Sequence, residues 1–171
     1  MTSILEHIAE IPDFPKKGIL FYDITPMLSV PEAYKKAVDA LAQAIAKTKP
    51  DAIISPEARG FFFGIPIAMK LGIPFIPVRK RGKLPRKTLD VEYELEYGTD
   101  VLCVHSDDLK EGSNVAIVDD ILATGGTAKA MCKMLKIKNA SVACCAFFME
   151  LDFLKGRDAL AEENVISIIR K

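Results

Sequence analysis

Two adjacent carboxylates, Asp119 and Asp120, are followed closely by Thr124, Gly125, Gly126 and Thr127. A carboxylate pair accepts hydrogen bonds from neighbouring hydroxyls. A glycine turn lets backbone N–H groups approach an anion without Cβ obstruction. If a helix opens after that turn, its unpaired N–H groups and the two threonine hydroxyls complete a phosphate seat. The flanking residues supply this context. Residues 115–118, Val-Ala-Ile-Val, are short, uncharged and rich in β-branched side chains, as for a central strand covered on both faces. The stretch reads as strand, loop, helix, with the acids at the strand's carboxyl end, where open α/β sheets bind ligands.

Three phosphate-binding patterns compete for this segment. The Walker pattern needs Gly, four residues, then Gly-Lys-Ser/Thr, a spacing absent here. A dinucleotide fingerprint needs Gly-x-Gly directly after the strand, where this chain has Asp-Asp. A glycine pair alone would also fit a tight βα connection with solvated acids. The thirteen residues VAIVDDILATGGT are more specific, and they resemble the phosphoribosyl pyrophosphate (PRPP) signature of the type I phosphoribosyltransferases. The resemblance implies that Asp119 and Asp120 hold ribose hydroxyls. It also implies that Ala123, Thr124, Gly125, Gly126 and Thr127 wrap the 5′-phosphate.

Two further strand-end loops carry chemistry. Pro56-Glu57-Ala58-Arg59-Gly60 follows a strand over 51–55, and residues 79–87 (RKRGKLPRK) follow a strand over 73–78. Six of those nine residues are basic, although the chain as a whole balances 23 cations against 23 acids. A solvated loop, a nucleic-acid patch or a polyphosphate site would each explain the cluster. No aromatics suited to base stacking are interleaved with it, which weakens the nucleic-acid case. Under the resemblance, Arg59, Arg79, Lys80 and Lys83 take the pyrophosphate, whose charge guanidinium and ammonium groups neutralise.

Residues 90–97 alternate acids at 90, 92, 94 and 96 with apolar side chains, a strand period with one wet face. Residues 80–98 are therefore expected to form a long flap rather than part of the core.

The segments FPKKGILFYDITPML, PEARGFFFG, RKRGKLP, EYELEYG and VDDILATGGT stand in the order and spacing of the adenine phosphoribosyltransferases, with LDFLKGR also similar. The match runs from about residue 14 to 127 and beyond. It implies adenine lying against Phe21, with backbone groups of Leu20 and Tyr22 reading its edge through one donor and one acceptor. Tyr22 stands where some relatives carry a basic residue, and a plain core aromatic is the competing reading of Phe21. Ala123 stands where hypoxanthine-guanine and orotate relatives carry Asp. The resemblance therefore gives proton transfer from the base to Glu96, with Glu94 as the nearby rival. It further implies Mg2+ held through PRPP and water with no direct protein ligand, and a homodimer. Its substrates and products would be adenine, PRPP, AMP and pyrophosphate.

The elements that must position these residues follow from pattern. At 171 residues, half of them hydrophobic, the chain fits one domain with a real core. Alternating strands and helices argue an α/β fold, a central parallel sheet flanked by helices. By resemblance this is the type I phosphoribosyltransferase fold, with an N-terminal base-binding hood over about 1–30 and a catalytic flap over about 80–98. Residues 4–11 read as an amphipathic helix stopped by Pro12, and 19–24 as a strand. Ser29-Val-Pro-Glu32 has the form of a capping box opening a helix to about Thr48. Residues 61–72 read as a buried helix, 101–105 and 140–149 as strands, 151–160 as a short helical turn region, and 165–169 as the last strand.

Balanced charge gives no global field for nucleic acid or an anionic membrane, and no apolar run approaches membrane-spanning length. A cytoplasmic protein is expected. Cysteines 103, 132, 144 and 145 make no metal-ligand spacing with His7 or His105. Cys144 and Cys145 should point to opposite faces of a strand as reduced core thiols.

Three functions remain in play: an adenine-specific transferase, a non-catalytic PRPP-sensing regulator on the same fold, and a transferase for another base such as xanthine. A regulator would be expected to carry an appended DNA-binding segment, for which 171 residues leave no room.

Overall fold

The computed structural model describes residues 4–94 and 99–171. Two compact units can be distinguished, Met1–Ala40 and Leu41–Lys171. In the first, a single 3-10 turn at Ile4–His7 precedes strand β1 (Ala9–Pro12), which pairs antiparallel with β2 (Leu20–Asp23) in the register Ile11 to Phe21. The helix expected over 4–11 therefore stops after one turn. Its apolar spacing suits a helix, but the backbone from Ala9 onward is taken into the ladder with β2. In the connecting loop the Gly18 amide donates to Asp13 Oδ1 at 2.6 Å, and Phe14 packs edge-on to Phe21 with ring centroids 5.1 Å apart.

Helix α1 (Thr25–Leu28) ends at Ser29, whose hydroxyl donates to the Pro26 carbonyl at 2.7 Å. Ser29 thus closes α1 instead of acting as the expected capping-box residue. Helix α2 (Pro31–Ala46) begins directly on proline, whose fixed φ and missing N–H suit the first helical position. It buries Ala33, Ala37, Val38, Leu41, Ala42 and Ile45.

The second unit is built on a seven-stranded sheet. Its strands are β3 (Ala52–Pro56), β4 (Phe75–Lys80), β5 (Thr88–Glu94), β6 (Thr99–His105), β7 (Asn114–Leu122), β8 (Ser141–Glu150) and β9 (Val165–Arg170). They lie in the order β5-β6-β4-β3-β7-β8-β9. The expected parallel sheet is realised from β4 to β9. On the β4 side, β6 and then β5 add antiparallel pairs. Four residues separate β5 from β6, too few for a parallel crossover, so the two must run antiparallel.

This hairpin revises the expectation for residues 80–98. Val91 is 3% exposed, pairs with Leu102 and belongs to the main core, so the first strand of the expected flap is part of the central sheet.

Helix α3 (Gly60–Leu71) joins β3 to β4, and α4 (Gly126–Ile137) joins β7 to β8. The two connections move in opposite directions along the sheet. Right-handed crossovers therefore put α3 and α4 on opposite faces. Ala130, Met131, Met134 and Leu135 of α4 pack into the core with Ile54, Val115, Ile117 and Phe147 of the sheet. Phe63 of α3 stacks on Phe148 at 5.2 Å.

All four cysteines are free, and Cys144 and Cys145 are buried, as expected of reduced core thiols. Cys144 accepts from the Thr48 hydroxyl, whereas Cys145 lies 3.7 Å from the Cys132 sulfur, so the adjacent pair meets different neighbours. No helix among the described residues is long and apolar enough to cross a membrane.

Candidate active site

Parallel register brings three loops to one end of the sheet. Ile54 pairs with Ile76 on one side and Ile117 on the other, so β3, β4 and β7 point their carboxyl ends the same way. From those ends emerge residues 57–60, 79–87 and 119–127, the three segments singled out by sequence. Strand β7 is longer than expected. It runs through both acids to Leu122, because Ile121 and Leu122 continue the ladder with Met149 and Glu150 of β8.

Being consecutive on a strand, Asp119 and Asp120 cannot share one environment. Asp120 is 3% exposed, and its Oδ2 lies 2.8 Å from Nε of Arg59. Asp119 is mostly buried but less deeply so, and its Oδ1 accepts the Asp120 amide at 2.8 Å. Burial, and after it the Asp120 charge, push the Asp119 carboxyl well above the usual carboxylate range. The start of α3 leaves little room beside this acid. A Cβ on Gly60 would stand 3.0 Å from Asp119 Oδ1 and 2.7 Å from Pro56 Cδ.

The turn over 123–125 joins strand to helix as its spacing predicts. Gly125 caps α4 with φ +82°, a left-handed conformation that glycine adopts without strain, and Gly126 starts the helix. The Lys129 amide donates to the Gly125 carbonyl at 2.9 Å, closing the first helical turn. The amides before it have no intrahelical acceptors. A concavity of about 80 Å³ is lined by Asp119, residues 121–128 and Phe147. A larger groove of about 930 Å³ has Lys129, Lys133 and Lys136 of α4 and the acids Asp158, Glu162 and Glu163 among its walls. Both signs of charge line it, and neither Asp119 nor Asp120 does, so the smaller concavity is the better phosphate seat.

The four cations assigned to pyrophosphate sit at this end of the sheet, and three of them lie against acids. Arg59 pairs with Asp120. Arg79 directs Nε and one terminal nitrogen at Glu57 Oε2, at 3.1 and 2.9 Å, and Lys80 Nζ lies 3.0 Å from Asp100. Lys83 is exposed, and its amide donates to the Lys80 carbonyl at 3.2 Å, closing a turn. Burial pushes the Glu57 carboxyl up, but the Lys80 amide at 2.7 Å and the Arg79 guanidinium outweigh it and hold the group below its ordinary range.

Glu57 and Asp100 were not foreseen as site residues. Glu57 stands inside the PEARG segment, where an acid beside a basic cluster is a usable signal. Asp100 becomes a partner only through the β4–β6 pairing. Tyr93 was also missed: from β5 its hydroxyl lies near Thr127, Lys80 and Asp119.

Leu20, Phe21 and Tyr22 form β2, with Tyr22 buried and Phe21 partly so. Glu96 lies outside the described residues, and Glu94 ends β5. Among the described residues no three His, Cys, Asp or Glu side chains are grouped to hold a metal ion.

Residues 27–169 match the family model for the phosphoribosyl transferase domain. The adenine phosphoribosyltransferase of Thermoanaerobacter sp. (strain X514) is 53% identical over 163 residues, covering 95% of this chain and 94% of that protein. The crystal structure of adenine phosphoribosyltransferase from Thermoanaerobacter pseudethanolicus superposes with a TM-score of 0.95 at 52% identity, covering 98% of both chains. The Saccharomyces cerevisiae adenine phosphoribosyltransferase, complexed with an imino-altritol bisphosphate and adenine, gives a TM-score of 0.90 at 41% identity over 96% of both chains.

Proposed function

The chain belongs to the adenine phosphoribosyltransferases, within the phosphoribosyl transferase domain family, and on that premise we propose that it converts adenine and PRPP to AMP and pyrophosphate. The observation that carries the reading is the acid pair on β7 running directly into the glycine loop that caps α4. A ribose diol and a 5′-phosphate are joined by a few bonds, and this strand–loop–helix offers acceptors for one next to donors for the other.

In the reaction the bond from ribose C1 to pyrophosphate breaks and the bond from C1 to adenine N9 forms. Asp119 and Asp120 fix the ribose hydroxyls, and residues 123–127 hold the 5′-phosphate. Arg59, Arg79, Lys80 and Lys83 neutralise the departing pyrophosphate. Three of these cations already lie against carboxylates, so arrival of PRPP exchanges one set of anionic partners for another. Leu20, Phe21 and Tyr22 receive adenine, a ligand that the structure of the yeast relative holds.

A hard cation that keeps its waters suits a site whose donors are substrate oxygens. Mg2+ would be carried on the diphosphate and ribose oxygens of PRPP. When bound, the ion would neutralise charge on the leaving group. Asp119 and Asp120 are the acids that would accept hydrogen bonds from its waters.

The protein acts in purine salvage in the cytoplasm, a setting that agrees with four free cysteines. It works as a homodimer. Supporting this is the apolar stripe of Phe62, Ile65 and Met69 on α3, which are 37%, 42% and 79% exposed.

The test is a panel of adenine, hypoxanthine, guanine and xanthine, each with PRPP and with or without Mg2+. AMP formation from adenine that depends on Mg2+ is expected. Faster turnover of hypoxanthine or guanine would overturn the base assignment, and PRPP binding without consumption of any base would favour the regulator.

A further inference from the structure

Glu150, the last residue of β8, is 2% exposed and sits beyond the ligand-facing loops. A carboxylate so deeply buried needs full compensation. Arg157 supplies it as a fork, with Nε to Oε1 at 2.7 Å and a terminal nitrogen to Oε2 at 2.8 Å. The Ser167 hydroxyl adds a bond to Oε2 at 2.6 Å, and Arg157 also donates to the Val165 carbonyl at 3.2 Å. Burial pushes the Glu150 carboxyl up, but Arg157 and Ser167 outweigh it and hold the group below its ordinary range.

A planar fork fixes both the distance and the direction from which the arginine backbone approaches. The residue before Arg157 is Gly156, and Gly156 is the floor of the phosphate loop. A Cβ on Gly125 would stand 2.6 Å from the Gly156 carbonyl oxygen and 3.0 Å from the Ala159 Cβ. A Cβ on Gly156 would in turn collide with the Ala123 carbonyl and lie 2.8 Å from Leu122 Cδ1. The Leu151 amide donates to the Leu122 carbonyl at 2.9 Å, so the 151–156 segment is tied to the end of β7 at its start and lies against the loop at Gly156.

We infer that Arg157 is a positioning residue for phosphate binding: its fork on Glu150 sets Gly156, whose backbone sets the height of residues 123–125. The inference rests on the reading of 123–127 as the phosphate seat. An apolar pair of similar volume would hold the fold equally well, since buried ion pairs are often neutral or worse for stability. What the fork adds is a fixed position for the backbone on which the loop lies.

The test is calorimetric titration of AMP and of adenosine into the native protein, Arg157→Lys and Ser167→Ala. Lysine keeps the charge but presents a single donor point, so the loop floor shifts. Misplacement of a binding group by about 1 Å costs up to about a hundredfold. Arg157→Lys is expected to weaken AMP about tenfold or more while adenosine affinity stays unchanged, and to raise KM for PRPP without changing KM for adenine. Ser167→Ala, which removes a hydroxyl and strips no partner charge, should lower the AMP preference in the same direction by a smaller factor and decides the matter if the lysine variant does not fold.

Equal loss for AMP and adenosine, or an unchanged preference in the folded variants, overturns the positioning role alone. If the native protein itself does not prefer AMP to adenosine, the phosphate-seat reading fails and takes this inference with it.

Discussion

Nε of Arg59 stands 2.8 Å from Oδ2 of Asp120, joining the loop after β3 to the end of β7. The pair is asymmetric, with the Arg59 side chain 42% exposed and that of Asp120 4% exposed. Removing the arginine therefore strands a buried carboxylate, whereas removing the acid leaves a cation that water can solvate. Arg59→Ala is expected to cost about 1–3 kcal/mol in urea unfolding, less than the full penalty of a wholly buried pair. Arg59→Ala with Asp120→Asn should recover part of that loss. Strict additivity in the double-mutant cycle would show that the two side chains are not coupled.

Asp119 predicts a trade between stability and binding. Its carboxyl titrates above its unfolded value of about 3.9 because the fold disfavours its charge, first by burial and then through Asp120. The unfolded chain then gives up its proton first, so stability falls as pH rises from the unfolded value through the raised folded one. Asp119→Asn removes this cost and should raise Tm near neutral pH while leaving it unchanged in acid. The same change should weaken AMP and PRPP by about 1.5–3 kcal/mol through loss of a charge-assisted bond. A variant with lower Tm and undiminished AMP binding would place Asp119 in a structural role.

The contrast between these residues shows what the sequence could carry. Asp119, Asp120 and the 124–127 turn were legible because few residue types combine a strand, paired acids and a left-handed glycine, and neighbours in sequence set their arrangement. The Arg59–Asp120, Arg79–Glu57 and Lys80–Asp100 pairs depend on which strands lie side by side, and no local pattern encodes that order. For the same reason the apolar spacing of residues 4–11 suggested a helix where pairing with β2 produces a strand. Val91 likewise joins the core because β5 pairs with β6, while Asp90 and Glu92 on either side of it are exposed.

Gly125 predicts a defect whose cause is in the protein and not in the ligand. A side chain here would meet the Gly156 carbonyl and the Ala159 methyl group and would hold φ near +82° at a cost of about 1–2 kcal/mol. Gly125→Ala should lower Tm without ligand, and Gly125→Val more so. Both should shrink the stabilisation that AMP gives by binding the folded state. Thermal scans with and without saturating AMP check this, and an undiminished AMP shift would mean that the anion is held away from this loop.

The Glu150–Arg157 pair sets part of the acid limit of stability. The folded carboxyl titrates below its unfolded value of about 4.3, since Arg157 and Ser167 outweigh burial. Its stabilisation is complete above the unfolded value and is lost as pH falls through the folded one. Glu150→Gln should therefore be less stable than the native protein near neutral pH, and the difference should narrow on acidification. Urea midpoints between about pH 3 and pH 6 test the sign. A difference that widens toward low pH would show that the group is not stabilised in its charged form.

The family resemblance assigns the proton of the base to Glu96, and the chemistry of the step supports that proposal. Neutral adenine loses a ring proton as N9 bonds to ribose C1, and departure of pyrophosphate leaves that carbon electron-poor, so a carboxylate near the purine would speed the step. Ala123 offers no such group in the phosphate loop, whose other members are threonines and glycines. An acid must then come from another segment, and the family resemblance assigns it to the Glu of Leu-Glu-Tyr-Gly, which lies outside the described residues. Glu94, at the end of β5, is the alternative donor of that carboxylate, only two residues away.

General base catalysis contributes about 10²–10⁴-fold, so Glu96→Gln should slow the chemical step by a factor in that range while PRPP binding stays nearly intact. Single-turnover kinetics on Glu94→Gln and Glu96→Gln separate the two. If Glu96→Gln forms AMP at the native rate while Glu94→Gln is slow, the proton goes to Glu94. If neither slows, the base proton leaves without help from either carboxylate.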